Sequence, residues 1–139
     1  MQYFKEDGKM PVIRATERPL SRENRPEWSR ISSAGLFVVP AKHGRFDCHY
    51  HDCDEYWLVF EGKARIMSEG VEYYVRPGDI ICTKAGDEHD VIEVYEDLNA
   101  FWVENALPEC KGRTHFHKSE EKAKGHEIIH KAVPDDFPE

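Results

Sequence analysis

Two histidines and a glutamate occur close together in the first half of the chain, and all three are residue types that bind metal ions. His49 and His51 are separated by one residue, and Glu55 follows four positions after His51. Side chains at i and i+2 of a β-strand project from the same face, so both imidazoles are expected to point the same way. Imidazole and carboxylate are suitable ligands for iron, copper, nickel, zinc or manganese.

A third imidazole is supplied by His89, which follows a turn, a short strand and a loop. Together with His49, His51 and Glu55 it predicts a site for one divalent transition-metal ion, whose identity the sequence leaves open. Four protein ligands leave up to two positions of an octahedral shell for water, oxygen or a chelating substrate. Such an open arrangement is typical of catalytic metal sites.

Three further residues are candidates for catalytic roles. By strand parity Tyr73 and Glu93 are expected on inward faces of the same domain. A buried Glu93 carboxylate with a raised pKa would suit a general base, whereas Tyr73 can also be explained as core packing. Asp47 shares the face of His49 and is expected to orient a ligand or to line the mouth of the site.

A second His-x-His pair, His115 and His117, lies near the C-terminus, followed by His126 and His130. These histidines form a second metal site if the fold brings them together. Otherwise they are solvated side chains of a charged tail, or part of a lid over the first site. The sequence leaves these three interpretations open.

The surrounding pattern predicts an all-β domain. Nearly all β-branched and aromatic runs fall between about residues 30 and 105, and Gly and Pro signals interrupt them at short intervals. Short strands at such spacing are typical of a barrel or sandwich. A polar arm, 1–29, precedes this core, and a charged tail, 108–139, with a short helix near 119–124, follows it. A chain of 139 residues suits one domain, 1–139, with a single core.

Alternating residues give the faces of the expected strands. The strand 55–61 ends at Gly62 and a second, 64–67, follows; further strands are expected at 71–75, 80–83, 90–95 and 100–104. The first strand is apolar on its outward face too, at Tyr56, Leu58 and Phe60. An uncovered apolar face is a common subunit interface, so we expect a homodimer.

The metal-binding residues and the glycines around them resemble the first motif of the cupin family. That motif is matched by Gly44, His49, His51, Glu55 and Gly62, with four residues rather than five between Gly44 and His49.

The second cupin motif is matched at Gly78, Gly86 and His89, with Lys84 and Glu93 in place of its proline and asparagine. The resemblance implies a double-stranded β-helix, or jelly roll, with the metal near one end of the barrel. It also agrees with a dimer, since many small cupins are dimers.

Cupins with this ligand set include isomerases, epimerases and decarboxylases, which stabilise an enediolate, and enzymes that activate dioxygen. The leading hypothesis is therefore a metalloenzyme, an isomerase or lyase or a dioxygenase, that acts on a small polar metabolite such as a sugar derivative or a hydroxy or keto acid. One alternative is a non-catalytic sensor or binding module for a sugar-like ligand. Another is a barrel in which the metal is purely structural.

Net charge, apolar runs and cysteine spacing limit which partners and which cellular location are expected. The net charge of −8 disfavours nucleic acid and anionic membranes as partners. No apolar run approaches the roughly 20 residues of a membrane span, and the N-terminus lacks a secretory signal pattern. The cysteines have no CxxC spacing and are expected to be free thiols, which favours the cytoplasm: Cys48, Cys53, Cys82 and Cys110.

Overall fold

Two long antiparallel strands run through the middle of the chain and carry most of the barrel. The computed structural model describes residues 12–139, so the predicted polar arm lies partly outside the described residues. The elements in chain order are β1 (Ser33–Val39), β2 (Arg45–Phe46), β3 (Glu55–Ser68), β4 (Val71–Val75), β5 (Ile80–Thr83), β6 (His89–Glu104), α1 (Glu120–Lys124), β7 (His126–Glu127) and β8 (Ile129–His130).

The strands form one main sheet in the order β1-β6-β3-β4. Strand β5 also pairs with β3, and β8 pairs in parallel with β6. Strands β2 and β7 form a separate two-stranded sheet. Almost all of the regular structure is β, which confirms the all-β prediction. Among the described residues no helix is long and apolar enough to cross a membrane.

Gly62 does not end a strand as the sequence pattern predicted. Strand β3 runs through it without a break, and its pairing with β6 shifts register on both sides of Glu61. Gly62 has φ +94, and a Cβ there would lie 2.0 Å from the backbone oxygen of Asp97. These are the features of a β-bulge, which bends a strand without releasing it from its partner. Strand β6 is likewise continuous where two strands were expected.

Apolar side chains on the inner faces of β3 and β6 form the core. Buried and exposed residues alternate along 55–60, as predicted. The core cluster consists of Val39, Ala41, Trp57, Val59, Ala64, Ile66, Val75, Val91, Val94, Leu98, Ala100, Trp102 and Ile128. Burial of this apolar surface is the main favourable contribution to folding.

The C-terminal region packs against the barrel. The predicted short helix is present as α1, and the side chain of Ser119 accepts a hydrogen bond from the backbone of Lys122 at its N-terminus. Beyond it, Ile128 joins the core, and the ring of Phe137 packs 5.1 Å from that of Tyr74. The C-terminal region is therefore packed onto the barrel and contributes to its core.

Candidate metal centre

Backbone pairing between two distant segments brings the first ligands together. His49 and His89 exchange backbone hydrogen bonds of 3.2 and 2.9 Å, in an isolated bridge between the segment after β2 and the start of β6. Their rings lie 4.3 Å apart, and the rings of His49 and His51 lie 4.9 Å apart. The predicted common orientation of His49 and His51 is confirmed.

Glu55, the first residue of β3, presents both carboxylate oxygens to these imidazoles. Its Oε2 lies 3.4 Å from Nε2 of His51, and its Oε1 lies 3.4 Å from Nε2 of His89. Ligand atoms of these three residues all fall within 4.8 Å of one another, as do those of His49, His51 and His115. All four predicted ligands are buried in one cluster.

Hydrogen bonds at Nδ1 fix the orientation of the His49 and His51 rings. Nδ1 of His49 contacts the backbone carbonyl of Asp47, and Nδ1 of His51 contacts the carbonyl of Thr114 at 3.1 Å. Because a carbonyl oxygen only accepts, each Nδ1 carries a proton, and the neutral form of each ring then has the lone pair of Nε2 available for a metal. This is the tautomer that a metal ligand requires.

Nε2 of His89 provides the observation that tests whether a metal fits. It is buried and has no hydrogen-bond partner among the described residues. Leaving a buried polar atom unpaired costs about 1–3 kcal/mol. A metal ion between His89, His51 and Glu55 would take up this lone pair, so the residues present fit a divalent transition metal.

Burial and pairing set the charges of the cluster. Burial lowers the pKa of His49 to about 3 and that of His89 to about 4, so both rings are neutral at pH 7. Burial alone would raise the pKa of Glu55, but hydrogen bonds with His51 and Glu104 outweigh it and lower this pKa to about 2. Burial would lower the pKa of His51 too, but its hydrogen bond and ion pair with Glu55 outweigh burial and raise this pKa above its ordinary value. His49 and His89 therefore offer lone pairs to a cation, and Glu55 offers a carboxylate charge.

Glu104 belongs to the same centre, although sequence reasoning missed it. It lies opposite Glu55 in the β3–β6 register and is 1% exposed. Burial and its hydrogen bond with Glu55 raise the pKa of Glu104 to about 8, so it is protonated at neutral pH and donates to Glu55. Trp57 also donates to Glu55, from Nε1 at 2.8 Å. The only available signal was that Glu104 ends an alternating strand.

A cavity of about 190 Å³ opens beside the cluster. Its walls combine aromatic rings with one cation, and the lining residues are Phe37, Phe46, His49, His51, Glu55, Trp57, Trp102, Glu104, Arg113 and His115. The guanidinium carbon of Arg113 lies 4.2 Å from the centre of the Trp102 ring. Gly35 leaves room for this ring, since a Cβ there would lie 2.7 Å from it.

Of the three predicted catalytic residues, Asp47 lies nearest to the cluster. Its backbone carbonyl orients His49, as predicted for a residue that holds a ligand. Its carboxylate does not line the cavity and instead accepts hydrogen bonds from His115 and His117, which outweigh burial and lower the pKa of Asp47. The interpretation of these two histidines as solvated tail residues is therefore wrong.

Glu93 is buried but does not line the cavity. It pairs with Arg65 at 2.9 Å and Lys131 at 3.0 Å, and it accepts a hydrogen bond from Tyr95. Two cations thus neutralise the carboxylate at a position outside the cavity. Its location does not support a role as general base at this centre.

The burial predicted for Tyr73 is wrong, although strand parity gave its face correctly. The residue is 51% exposed, and it lines a different cavity together with Ile80 and Val75. Strand β4 is an edge strand of the main sheet, and only its last residue, Val75, reaches the core. Tyr73 shares the face of Val75 but lies outside the core.

The last two histidines lie on other elements. His126 pairs with Asp90 at 2.7 Å, and Nδ1 of His130 donates to the carbonyl of Val94. Neither lines the cavity.

Comparison with known proteins supports the fold. An uncharacterized protein of Sinorhizobium fredii, y4oW, is 37% identical over 75 residues, which make up 54% of this chain and 33% of that longer protein. The DMSP lyase DddQ from Ruegeria pomeroyi superposes with a TM-score of 0.58 at 21% identity, over 73% of this chain and 52% of that one. A double-stranded β-helix protein from Klebsiella pneumoniae gives 0.56 at 17% identity, over 79% and 100%.

The family model of the cupin domain matches residues 35–104, a range that includes the two cupin motifs and all four predicted ligands. This match extends over half of the chain, and the structural neighbours share the double-stranded β-helix that the motifs implied. The chain belongs to the cupin family.

Proposed function

We propose that this cupin is a metal-dependent enzyme that acts on a small organic acid. The observation that carries the proposal is the shared cavity. His49, His51 and the Glu55 carboxylate line it, together with the Arg113 guanidinium. His49, His51, Glu55 and His89 would hold the metal. When bound, a divalent ion polarises a carbonyl oxygen or, if it is iron or copper, activates dioxygen.

The size of the cavity favours a small metabolite. Its volume of about 190 Å³ lies below the roughly 300–1,000 Å³ of drug-sized pockets. The aromatic walls exclude water from the space beside the ligands, which strengthens electrostatic contacts there. A compact hydroxy or keto acid suits this space.

Arg113 selects the acid over a neutral sugar derivative. A guanidinium presents paired donors that match a carboxylate, and its stacking on Trp102 holds it in place. A substrate bound in this way would turn its neighbouring hydroxyl or keto oxygen towards the ligand cluster. This is the bidentate arrangement that two free coordination positions favour.

Glu104 stabilises the carboxylate that the metal needs. Its proton is shared with Glu55, and Ser33 Oγ donates to its Oε2 at 3.3 Å. These contacts fix the Glu55 side chain and leave the cluster with a single carboxylate charge. One charge and three imidazoles suit a divalent ion with open positions.

Metal analysis of protein purified without added metal is the first test. We expect about one equivalent bound at the His49, His51, Glu55 and His89 cluster. Iron or copper directs the search to oxygen consumption with hydroxy and keto acids. Manganese, zinc or nickel directs it to isomerase and lyase assays. The structural similarity to a DMSP lyase is a further reason to include lyase assays. A protein that binds no metal would contradict the proposal.

The acid selectivity has its own test. A panel of small hydroxy acids, keto acids and neutral sugars is screened by thermal shift on the metal-loaded protein. We expect acids to bind, and the R113Q variant to lose at least about tenfold in affinity for them, because one charge-assisted hydrogen bond contributes about 1.5–3 kcal/mol. Metal content is expected to stay unchanged in R113Q. An acid that binds without turnover under any condition favours the binding-module alternative.

A further inference from the structure

We propose that this protein binds a second divalent transition-metal ion at Asp47, His115 and His117. These residues, called the outer triad here, lie next to the ligand cluster of the cavity, and His115 also has a ligand atom near those of His49 and His51. Ligand atoms of the three residues of the outer triad fall within 4.8 Å of one another. The outer triad is partly open to solvent, which gives an ion a route to it.

A short backbone pairing builds the outer triad. Tyr50 and Phe116 exchange backbone hydrogen bonds of 3.0 Å each, and their rings stack 5.5 Å apart. In extended chain the residues on either side of Phe116 project to the face opposite its ring, so His115 and His117 point the same way. The pairing places both above Asp47.

The donor set is suited to a transition metal. Nδ1 of His115 lies 2.9 Å from Oδ2 of Asp47, and Nε2 of His117 lies 2.7 Å from the same oxygen. Two imidazole nitrogens and a carboxylate oxygen are the three-ligand set of many zinc sites, with bonds of about 2.0–2.2 Å.

Charge also favours a cation at this position. Within residues 12–139, the ion pairs of Asp47 are with histidines and not with lysine or arginine. With neutral imidazoles the outer triad carries the one negative charge of Asp47. The side chain of Asp47, which carries this charge, is 26% exposed, so water screens the charge only partly. A divalent ion compensates it.

His115 connects the outer triad to the cavity. Its ring stacks on that of His49 at 3.6 Å and 6°, and it lines the cavity wall. An ion at the outer triad would hold this ring in place. Occupancy of the second site is therefore expected to order the cavity wall without adding a ligand to the first.

The test is a zinc titration of chelator-treated full-length protein, followed calorimetrically, with bound zinc measured after gel filtration. We expect two equivalents in the wild type, the weaker one at the outer triad. H117Q and D47N are each expected to lose that one equivalent and keep the other. H130Q, a histidine of the same C-terminal region away from the triad, keeps both. Wild type that binds one equivalent which H117Q keeps, or H117Q that still binds two, overturns the proposal.

The H51Q variant separates this proposal from the proposed function. H51Q is expected to lose the equivalent of the cavity cluster and to keep the one that H117Q loses. If H51Q changes nothing while H117Q loses one equivalent, the second site stands and the first fails. If H51Q loses the single equivalent present, the first site stands and the outer triad is only a hydrogen-bonded carboxylate.

Discussion

At the scale of single residues, the centre depends on groups that hold the ligands as much as on the ligands. Glu55 receives hydrogen bonds from Trp57 and from protonated Glu104, which lie on two different strands. His49 and His51 are oriented through backbone carbonyls. Such contacts fix ring orientation before an ion arrives, so less ordering is required on binding.

The proton on Glu104 predicts a dependence of stability on pH. Its folded pKa, about 8, lies above its ordinary value of 4.5, so the folded state keeps a proton that the unfolded state releases. This contribution is full below pH 4.5, falls as pH rises, and is lost above about pH 8. In chelator-treated protein E104Q is expected to lack this loss, a difference on the order of 1 kcal/mol per pH unit between these limits.

Urea unfolding at pH 6 and pH 8 measures this difference. The E61Q variant, on the exposed face of β3, serves as the control and is expected to follow the wild type at both values. Equal pH dependence of E104Q and wild type would mean that Glu104 is ionised in the folded protein.

His89 predicts how the metal affects stability. A ligand that binds only the folded state stabilises it by about 2.7 kcal/mol at 100 times its dissociation constant. We expect the melting temperature of the wild type to fall on chelation, with the apo protein still folded. In H89Q chelation should lower the melting temperature by less than in the wild type, because the buried Nε2 lone pair that meets the ion of the cavity cluster is absent. Complete unfolding of the apo wild type would favour the purely structural role.

At the scale of elements, bulged continuous strands explain how the β3–β6 ladder brings both of its ends, at Glu55 and at His89, to the same ligand cluster. Glu55, the first residue of β3, pairs with Glu104, and Ser68, the last residue of β3, pairs with His89. Strands that stopped at Gly62 would break this pairing. The bulge keeps the ladder while the strand bends.

Gly62 and Gly70 predict a matched pair of substitutions. Both have positive φ, but a Cβ at Gly62 would meet the backbone of Asp97, whereas a Cβ at Gly70 meets nothing within 4 Å. G70A is expected to cost about 1–2 kcal/mol, the strain of a left-handed residue. G62A should cost clearly more, because backbone must also move. Chemical denaturation of both variants tests the order, and equal costs would contradict it.

At the scale of the whole molecule, one face of the barrel remains apolar and uncovered. Tyr56, Leu58, Phe60 and Phe101 are exposed, and the rings of the two phenylalanines lie 5.4 Å apart. Contiguous apolar surface of this kind marks interaction sites, and a twofold axis would cover it with the same patch of a second copy.

We therefore predict a homodimer through this face. Sedimentation of the wild type at micromolar concentration should give the dimer mass, and L58E should shift it to the monomer, because a buried unpaired charge opposes association. I129E, which places the same charge on an exposed apolar residue of β8, should leave the mass unchanged. A wild-type monomer would refute the interface.

The ligands could be predicted from sequence because their spacing is local. His49, His51 and Glu55 lie within one short stretch, and a motif delivers His89. Glu104, Arg113 and His115 reach the cavity through long-range pairing, which leaves no local pattern. A glycine at position 62 is compatible with a bulge as well as with a turn, so the sequence did not distinguish the two. Strand parity assigned the face of Tyr73 correctly but did not show that this residue is exposed.

The backbone bridge between Tyr50 and Phe116 joins the segment that carries His49 and His51 to a segment from beyond the region that matches the family. Residues 35–104, which match the family, supply all four expected ligands, whereas Arg113 and His115 come from beyond that region. Under the proposed function, the metal ligands and the residue that selects the acid would therefore lie in separate stretches of sequence. Exchanging 113–117 for the corresponding stretch of another cupin is then expected to change which molecule is accepted and to remove the ion of the outer triad, while the cavity cluster keeps its own metal.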